Sequence, residues 1–281
     1  MLSVPPAPRF RMTDAPLAQA VAQVNFPIVA KLQSLDGIAP LQDALLELFP
    51  YMAQQVVQQV SLMIGPAGPT VPESAQSVVH EFTDDEGWTL AVTVSSATLS
   101  VGGQYSGVDD FAARFRSVCA ALHDAGRVRR CDRLGVRYLD IVELEDGNDD
   151  WAGWFRPEIV GLTRPDLSSG GLVASLTETR LQQAPPGAPD GLDGQVLGVI
   201  RHGVVPPGSI MKGMPPRPVE QRAFLFDMDT SVQTPQPFDA QRLAEQYVTL
   251  HNEIEKVFHW AVTDAGRERF GYQLVGEGED V

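Results

Sequence analysis

An arginine-rich run between residues 127 and 144 is the part of the chain best suited to bind an anion. Five arginines fall in this run, although the formal net charge of the protein is -15. Guanidinium groups hold phosphate or carboxylate through two parallel hydrogen bonds. The candidate site for an anion or a protein partner comprises Arg129, Arg130, Arg133 and Arg137. The alternative is structural: cations are favourable after a helix C-terminus, and strand arginines pair with acids.

A second pattern, Asp227-Met228-Asp229-Thr230, imitates the nucleophile motif of haloacid-dehalogenase phosphatases. In those enzymes one carboxylate attacks phosphorus and the next acts as acid and base. That motif opens a Rossmann-like domain, whereas only about fifty residues follow it here. We therefore interpret the segment as a strand with Phe224, Phe226 and Met228 facing inward and the aspartates facing outward.

No metal or cofactor site is predicted. His251 and His259 share a predicted helix, but eight residues separate them, which is more than two turns and too far to bind one ion. Cys119 and Cys131 have no His or Cys neighbours at zinc-ligand spacing, so we expect two buried reduced thiols. A Gly-x-Ser-x-Gly nucleophile elbow is absent from the sequence, and we expect no catalytic residues.

Two groups of apolar side chains are candidates for a protein interface. Trp151, Trp154 and Phe155 follow an acidic stretch, and their alternative role is to pack a helix onto the sheet. Met211 and Met214 lie in a Pro-rich loop, Val205 to Pro218, that is long for a hairpin connection. These five residues form the predicted interface set.

Composition limits the class of protein. An apolar fraction of 43% and a charged fraction of 20% are typical of a globular protein, and the acidic balance argues against nucleic-acid binding. Residues 1–12 lack the apolar core of a signal peptide, and no run reaches the roughly 20 apolar residues of a membrane span. We expect a cytoplasmic protein with no membrane association. Only three lysines accompany many arginines, which suggests a GC-rich bacterial genome.

Hydrophobic periodicity predicts an α+β fold with a mainly antiparallel sheet and two long helices on one of its faces. The predicted helices are 40–49, Asp109 or Asp110 to 126, 151–160 and 239–262. The predicted strands are 17–26, 56–64, 78–82, 88–94, 97–102, 134–144, 172–181, 196–202 and 223–230. Each half therefore reads strand, short helix, about three strands and longer helix. This order is either a pseudo-repeat or a coincidence of α+β alternation.

The predicted organisation has four parts. A flexible arm covers residues 1–12, a first α+β half covers 13–126, a second half covers 127–265, and a flexible acidic tail covers 266–281. If the repeat is real, the two halves share one continuous sheet.

Several short motifs together resemble a sporadically distributed family of uncharacterised bacterial proteins. The motifs are Ala15-Pro16-Leu17 with Ala20, Leu99-Ser100-Val101 leading to Tyr105, Arg133 to Leu139 with Gly135 and Tyr138, and Leu250-His251 with Ile254, Phe258 and Val262-Thr263. The chain departs from the pattern at Gln19, where an acidic residue is usual. The resemblance implies an α+β fold and mobile defence or toxin-linked loci. It implies no catalytic residues, and it makes Gly135 and Tyr138 determinants of the fold.

These observations predict a non-enzymatic cytosolic adaptor that binds a protein partner and forms a homodimer through a sheet edge or a helix face. One alternative is a SecB-like holdase chaperone that exposes apolar grooves. The other is an enzyme or sensor that binds an anionic small molecule at the arginine cluster.

Overall fold

The computed structural model describes residues 2–59, 63–65, 68–70, 75–144, 150–168, 172–183, 192, 194–209 and 219–275. The helices are α1 (Leu35–Leu45), α2 (Val108–Asp124), α3 (Pro157–Val160), α4 (Pro165–Ser168), α5 (Ala240–Ala261) and α6 (Asp264–Arg269). The first eight strands are β1 (Phe10–Met12), β2 (Leu17–Asn25), β3 (Tyr51–Gln59), β4 (Met63–Gly65), β5 (Gly68–Thr70), β6 (Ala75–Thr83), β7 (Trp88–Val92) and β8 (Ser96–Val101). The others are β9 (Arg130–Cys131), β10 (Arg133–Glu143), β11 (Ser175–Gln183), β12 (Val196–Val205), β13 (Ala223–Val232), β14 (Gln236–Pro237) and β15 (Tyr272–Leu274).

A nine-stranded sheet forms the centre of the molecule, in the order β11-β12-β13-β10-β2-β8-β7-β6-β3. Every neighbouring pair in it is antiparallel. In β2, β7 and β8 the alternation read from the sequence places one side of the strand in the core, which fixes the register. The predicted α+β class with a mainly antiparallel sheet is confirmed.

The two halves of the chain repeat one strand order around the middle of the sheet. The opening strands of the halves, β2 and β10, pair with each other at the centre. On its other side, each opening strand pairs with the last strand of its own half, β8 or β13. The long helices α2 and α5 follow those last strands. The predicted repeat of element order therefore corresponds to a repeated arrangement in space.

Both long helices cover the same face of the sheet. Phe111 of α2 stacks on Tyr247 of α5 with ring centroids 4.8 Å apart. Leu243, Leu250 and Ile254 continue the apolar stripe of α5 into a core shared with the strands. Burying these side chains supplies the main favourable term in folding. No described helix is long and apolar enough to cross a membrane.

The two ends of the described chain differ from the predicted flexible arms. β1 pairs with β15 in a two-stranded antiparallel ribbon that joins Phe10 to Leu274. Thr13 and Asp14 continue the contact through backbone hydrogen bonds to Gly271 and Phe270. Alternation is too short in these segments to signal a strand, because each strand has only three residues.

The start of α1 also differs from the prediction. We expected this helix to begin at Pro40, but it begins at Leu35. The Ser34 hydroxyl accepts a hydrogen bond from the Gly37 amide and caps the helix, so Pro40 lies in the second turn. The start of α2 shifts in a related way, because its N-cap is Gly107 at φ +139°, while Asp109 and Asp110 lie in the first turn. There, both carboxylates favourably meet the helix dipole.

Candidate functional site

A cavity of about 620 Å³ lies beside the centre of the sheet. Its walls come from five parts of the chain: the segment Phe10 to Leu17, the turn from Gly102 to Val108, strands β10 and β13, and helix α5. Apolar side chains form much of the lining, notably Met12, Met228, Ile254 and Phe258. A cavity with apolar walls and a few polar groups is the usual form of a small-molecule site.

Three tyrosine hydroxyls form a connected chain at the inner wall. Tyr138 of β10 lies in the middle, 2.9 Å from the Tyr105 oxygen and 2.7 Å from the Tyr247 oxygen. Tyr105 precedes α2, and Tyr247 is on α5, so the chain connects the sheet to both long helices. Burial raises the pKa of all three hydroxyls, and that of Tyr105 reaches about 12. These hydroxyls are therefore neutral donors and acceptors around neutral pH.

His251 lies one turn after Tyr247 and also faces the cavity. Its ring is tilted against the Tyr138 ring, with centroids 5.1 Å apart. No described residue forms a hydrogen bond with its buried Nδ1 atom. Burial lowers the pKa of His251 to about 4. The imidazole is therefore neutral around neutral pH, and one of its two ring nitrogens is an unprotonated hydrogen-bond acceptor.

Two carboxyl groups enter the same cavity without a strong ionic partner in the described structure. Burial, and then repulsion from Asp227, raises the pKa of Asp140 to about 8. Burial raises the pKa of Glu255 to about 7, against a lowering effect from Arg9. The Glu255 Oε1 atom is 3.9 Å from the His251 Nε2 atom, beyond hydrogen-bond distance. Both acids therefore change charge close to neutral pH.

These side chains do not form a metal centre by their geometry. Within the described ranges, no group of three His, Cys, Asp or Glu side chains is placed to hold an ion. The arrangement instead offers a neutral imidazole, hydroxyl groups and two titratable carboxyls on apolar walls. A lining of this kind is suited to an organic molecule, because apolar walls bury the apolar part and the polar groups orient the rest.

The predicted arginine cluster is divided by the structure and does not line this cavity. Arg133 and Arg137 lie on the opposite face of β10 from Tyr138, as the two-residue period of a strand requires. Arg129 donates to the backbone oxygens of His123 and Val128 at the end of α2. Arg130 donates to the Asp132 carboxylate at 2.7 Å. These two arginines occupy the helix-terminal and ion-paired positions of the structural alternative.

Arg133 and Arg137 belong to a ladder of ion pairs on the open face of the sheet. Arg137 holds the fully buried Asp227 carboxylate through two hydrogen bonds of 2.7 and 3.1 Å. Arg201 of β12 donates to the same carboxylate at 3.0 Å and to Glu178 of β11 at 2.7 Å. Arg133 reaches Asp229 at 3.3 Å. The aspartates of the phosphatase-like motif thus lie on the outward side of β13, as predicted, with arginines as their partners.

The predicted aromatic interface lies largely inside the molecule. Trp151 is 3% exposed and Phe155 is 1% exposed, and both pack against Phe224 of β13. Trp154 is partly buried beside Phe270. These placements match the alternative, packing onto the sheet. The single predicted helix over 151–160 is instead a 3-10 turn followed by α3, because Pro157 holds the preceding Arg156 extended. Met211 and Met214 lie outside the described residues.

The motifs that carry the family resemblance converge on the cavity. Leu17, Tyr105, Tyr138, His251 and Phe258 come from four separate motifs, and all of them line it. Gly135 instead lies under the Arg133 guanidinium, which an added Cβ would clash with. This glycine lets Arg133 fold back along its own strand.

Sequence reasoning named none of the cavity residues as site residues: Tyr105, Tyr138 and His251 entered only as parts of motifs, and Asp140 and Glu255 were missed. Two signals were present: Asp140 shares its strand face with Tyr138, and Glu255 lies one helical turn beyond His251. The acid residues did not stand out, because the sequence contains 36 of them.

Comparisons with known proteins give no match from which a function could be transferred, so the geometry of the cavity is the basis for assigning one. No family model, no curated protein and no solved structure matches the chain.

Proposed function

We propose that this protein is a non-enzymatic binding protein of the bacterial cytosol, and that its ligand site is the cavity between β10, α5 and the segment Phe10 to Leu17. One observation carries the proposal: a cavity of about 620 Å³ is lined by His251, whose buried Nδ1 atom forms no hydrogen bond with the described residues. An unsatisfied buried polar atom costs about 1–3 kcal/mol, and a bound ligand can remove that cost.

The placement of the other candidate groups supports the same site. The arginines of the open face are engaged with acids, which weakens the case for an anion site there. The buried Trp151 and Phe155 weaken the case for a holdase groove. The cavity, by contrast, collects residues from both halves of the repeat, so a ligand bound there affects how the halves pack together.

Ligand capture by the cavity can be tested with a variant that fills it. Gly103 lines the cavity, and a Cβ added there meets no described atom within 4 Å. We expect Gly103→Trp to fold normally and to occupy the ligand space. In equilibrium dialysis against a small-molecule extract of bacterial cells, mass spectrometry should find compounds enriched by the wild-type protein and not by Gly103→Trp.

Gly153 provides the matched control for this experiment. It lies away from the cavity, and a Cβ there also meets no described atom within 4 Å. Gly153→Trp should enrich the same compounds as the wild type. The proposal is wrong if the wild type enriches nothing, or if both variants bind equally well.

We also propose that this protein is a homodimer formed through β11, the strand at one edge of the sheet. Edge strands expose backbone groups that can pair with a second copy. If two β11 strands pair antiparallel about Thr179, Glu178 of each copy lies opposite Arg180 of the other. Both residues are on one face of the strand, so their charges are complementary across the two-fold axis.

Charge reversal at the β11 edge tests the dimer. The Arg180 side chain is 78% exposed, so Arg180→Glu should leave the fold of one subunit intact while placing like charges opposite each other. Multi-angle light scattering should report a dimer for the wild type and for Arg180→Lys, and a monomer for Arg180→Glu. A wild-type monomer, or a dimer that survives the reversal, would contradict this interface.

A further inference from the structure

We propose that the cavity binds an organic cation, an aliphatic amine whose ammonium group pairs with Asp140, while Glu255 adds negative charge to the same lining and the hydrocarbon part lies on the apolar walls. This inference rests on the proposed ligand site and adds the chemical class of the ligand. Four observations support it: the charge inside the cavity, the aromatic surroundings, the apolar lining and the placement of the nearby cations.

The charge of the cavity is negative whenever its acids are ionised. Asp140 is 4% exposed, and among the described residues the charged side chain that acts on it is Asp227, which repels it. Such a carboxylate is costly to ionise unless a positive group approaches it. A ligand with an ammonium group provides that positive group, whereas an anionic ligand adds a third negative charge.

The cations around the cavity are directed elsewhere. Arg11 donates to Gln273 on β15, and Arg269 pairs with Asp14 at the rim. Arg9 is the cation that lowers the pKa of Glu255. However, its guanidinium is 3.8 Å from Asp109, and its side chain is 56% exposed. Solvent weakens the effect of such an exposed charge on a buried acid.

Aromatic rings complete the environment that a cation prefers. Tyr105 and Tyr138 meet edge to face with centroids 5.6 Å apart, and Phe10 and Phe258 line other parts of the cavity. Ring faces attract ammonium groups, and more strongly where water is excluded. The neutral His251 imidazole in the same lining carries one unprotonated ring nitrogen, which is a hydrogen-bond acceptor.

Three probes with one hydrocarbon part and different charges test the inference: hexylammonium, hexanol and hexanoate. By calorimetry at pH 8, hexylammonium should bind at least about tenfold more tightly than hexanol, which is the effect of roughly 1.4 kcal/mol. Hexanoate should bind more weakly than hexanol. Asp140→Asn and Glu255→Gln should each lower the hexylammonium affinity about tenfold. Glu143→Gln, on the exposed end of the same strand as Asp140, should leave it unchanged.

The pH dependence gives an independent readout. Asp227 acts on Asp140, and Arg9, His251, Tyr105 and Tyr272 interact with Glu255. Arg11, Asp14 and Tyr138 line the same cavity. The acids ionise with pKa values of about 8 for Asp140 and about 7 for Glu255, and the probe keeps its charge to about pH 10. Hexylammonium affinity should therefore rise about tenfold or more from pH 6 to pH 8.5 in the wild type. It should stay flat in the double variant Asp140→Asn with Glu255→Gln.

The outcomes separate this inference from the proposed ligand site. If hexanol or hexanoate binds as tightly as hexylammonium and Gly103→Trp abolishes that binding, the cavity is a ligand site and the cation inference is wrong. If none of the three probes binds, the cation inference is also wrong. The proposed site is then decided by the dialysis comparison of Gly103→Trp with Gly153→Trp.

Discussion

Replacing Asp140 by Asn should stabilise the unliganded protein by about 3–5 kcal/mol at pH 8.5 and by less than about 1 kcal/mol at pH 4. The folded carboxyl keeps its proton up to about pH 8, whereas the unfolded one loses it near 3.8. Between these values the folded state binds more protons, so wild-type stability falls as pH rises. Asn resembles the protonated acid and removes this dependence. Urea unfolding at the two pH values measures the difference.

Asp124→Asn is the control for a general effect of removing one negative charge. The Asp124 side chain is 80% exposed, so its replacement should change the free energy of unfolding by no more than about 0.5 kcal/mol at either pH. Equal effects of the two substitutions at pH 8.5 would show that Asp140 is not held in a desolvated site.

Asp227→Asn should destabilise the protein by about 3 kcal/mol at pH 7, because breaking a buried ion pair leaves desolvated charge without its partner. The Asp227 carboxylate is fully buried and accepts hydrogen bonds from both Arg137 and Arg201. Asn keeps the shape but loses the negative charge and one acceptor oxygen. Urea denaturation midpoints, with the slope unchanged, measure the loss.

Asp229→Asn is the matched control on the same strand and the same face. Its side chain is 29% exposed, and it pairs with Arg133 at 3.3 Å. Burial already raises the pKa of Asp229, so loss of its charge should cost less than about 1 kcal/mol. Losses of similar size in the two variants would contradict the central position of Asp227 in the ladder.

Local periodicity in the sequence was sufficient to predict the main elements. Alternation in Leu17 to Phe26, Leu134 to Leu144 and Ala223 to Thr230 predicted three strands that meet at the sheet centre. The stripe of α5 and its capping by Asp239 were also visible, since the Asp239 side chain accepts from the Arg242 amide. Strand-helix order then indicated the repeated arrangement.

Contacts between distant residues could not be read in the same way. The ribbon of β1 and β15 joins segments more than 250 residues apart, and neither is long enough to show alternation. The candidate site depends on the same kind of contact, because Tyr105, Tyr138 and Tyr247 meet only after the sheet and both helices assemble. The arginine run was conspicuous because its members are close together in the sequence. In the folded protein they lie in different environments, because side chains alternate between the two faces of a strand.

Asp140 places folding and ligand binding in opposition. An acid with a raised pKa lowers stability at neutral and alkaline pH, and Asn relieves that cost. The same substitution removes the charge that is proposed to hold an ammonium group. A stabilised variant that binds more weakly is the pattern expected of a residue retained for function.

The ribbon that ties Phe10 to Leu274 also sets an order of events during protein synthesis. The ribosome must synthesise and release β15 before it can reach β1. Until then the segment Phe10 to Leu17, one wall of the cavity, lacks its anchor, although the strands from β2 to β8 can already pair. A nascent chain can therefore pair the strands of its first half early, but this wall of the cavity is anchored only after β15 has emerged.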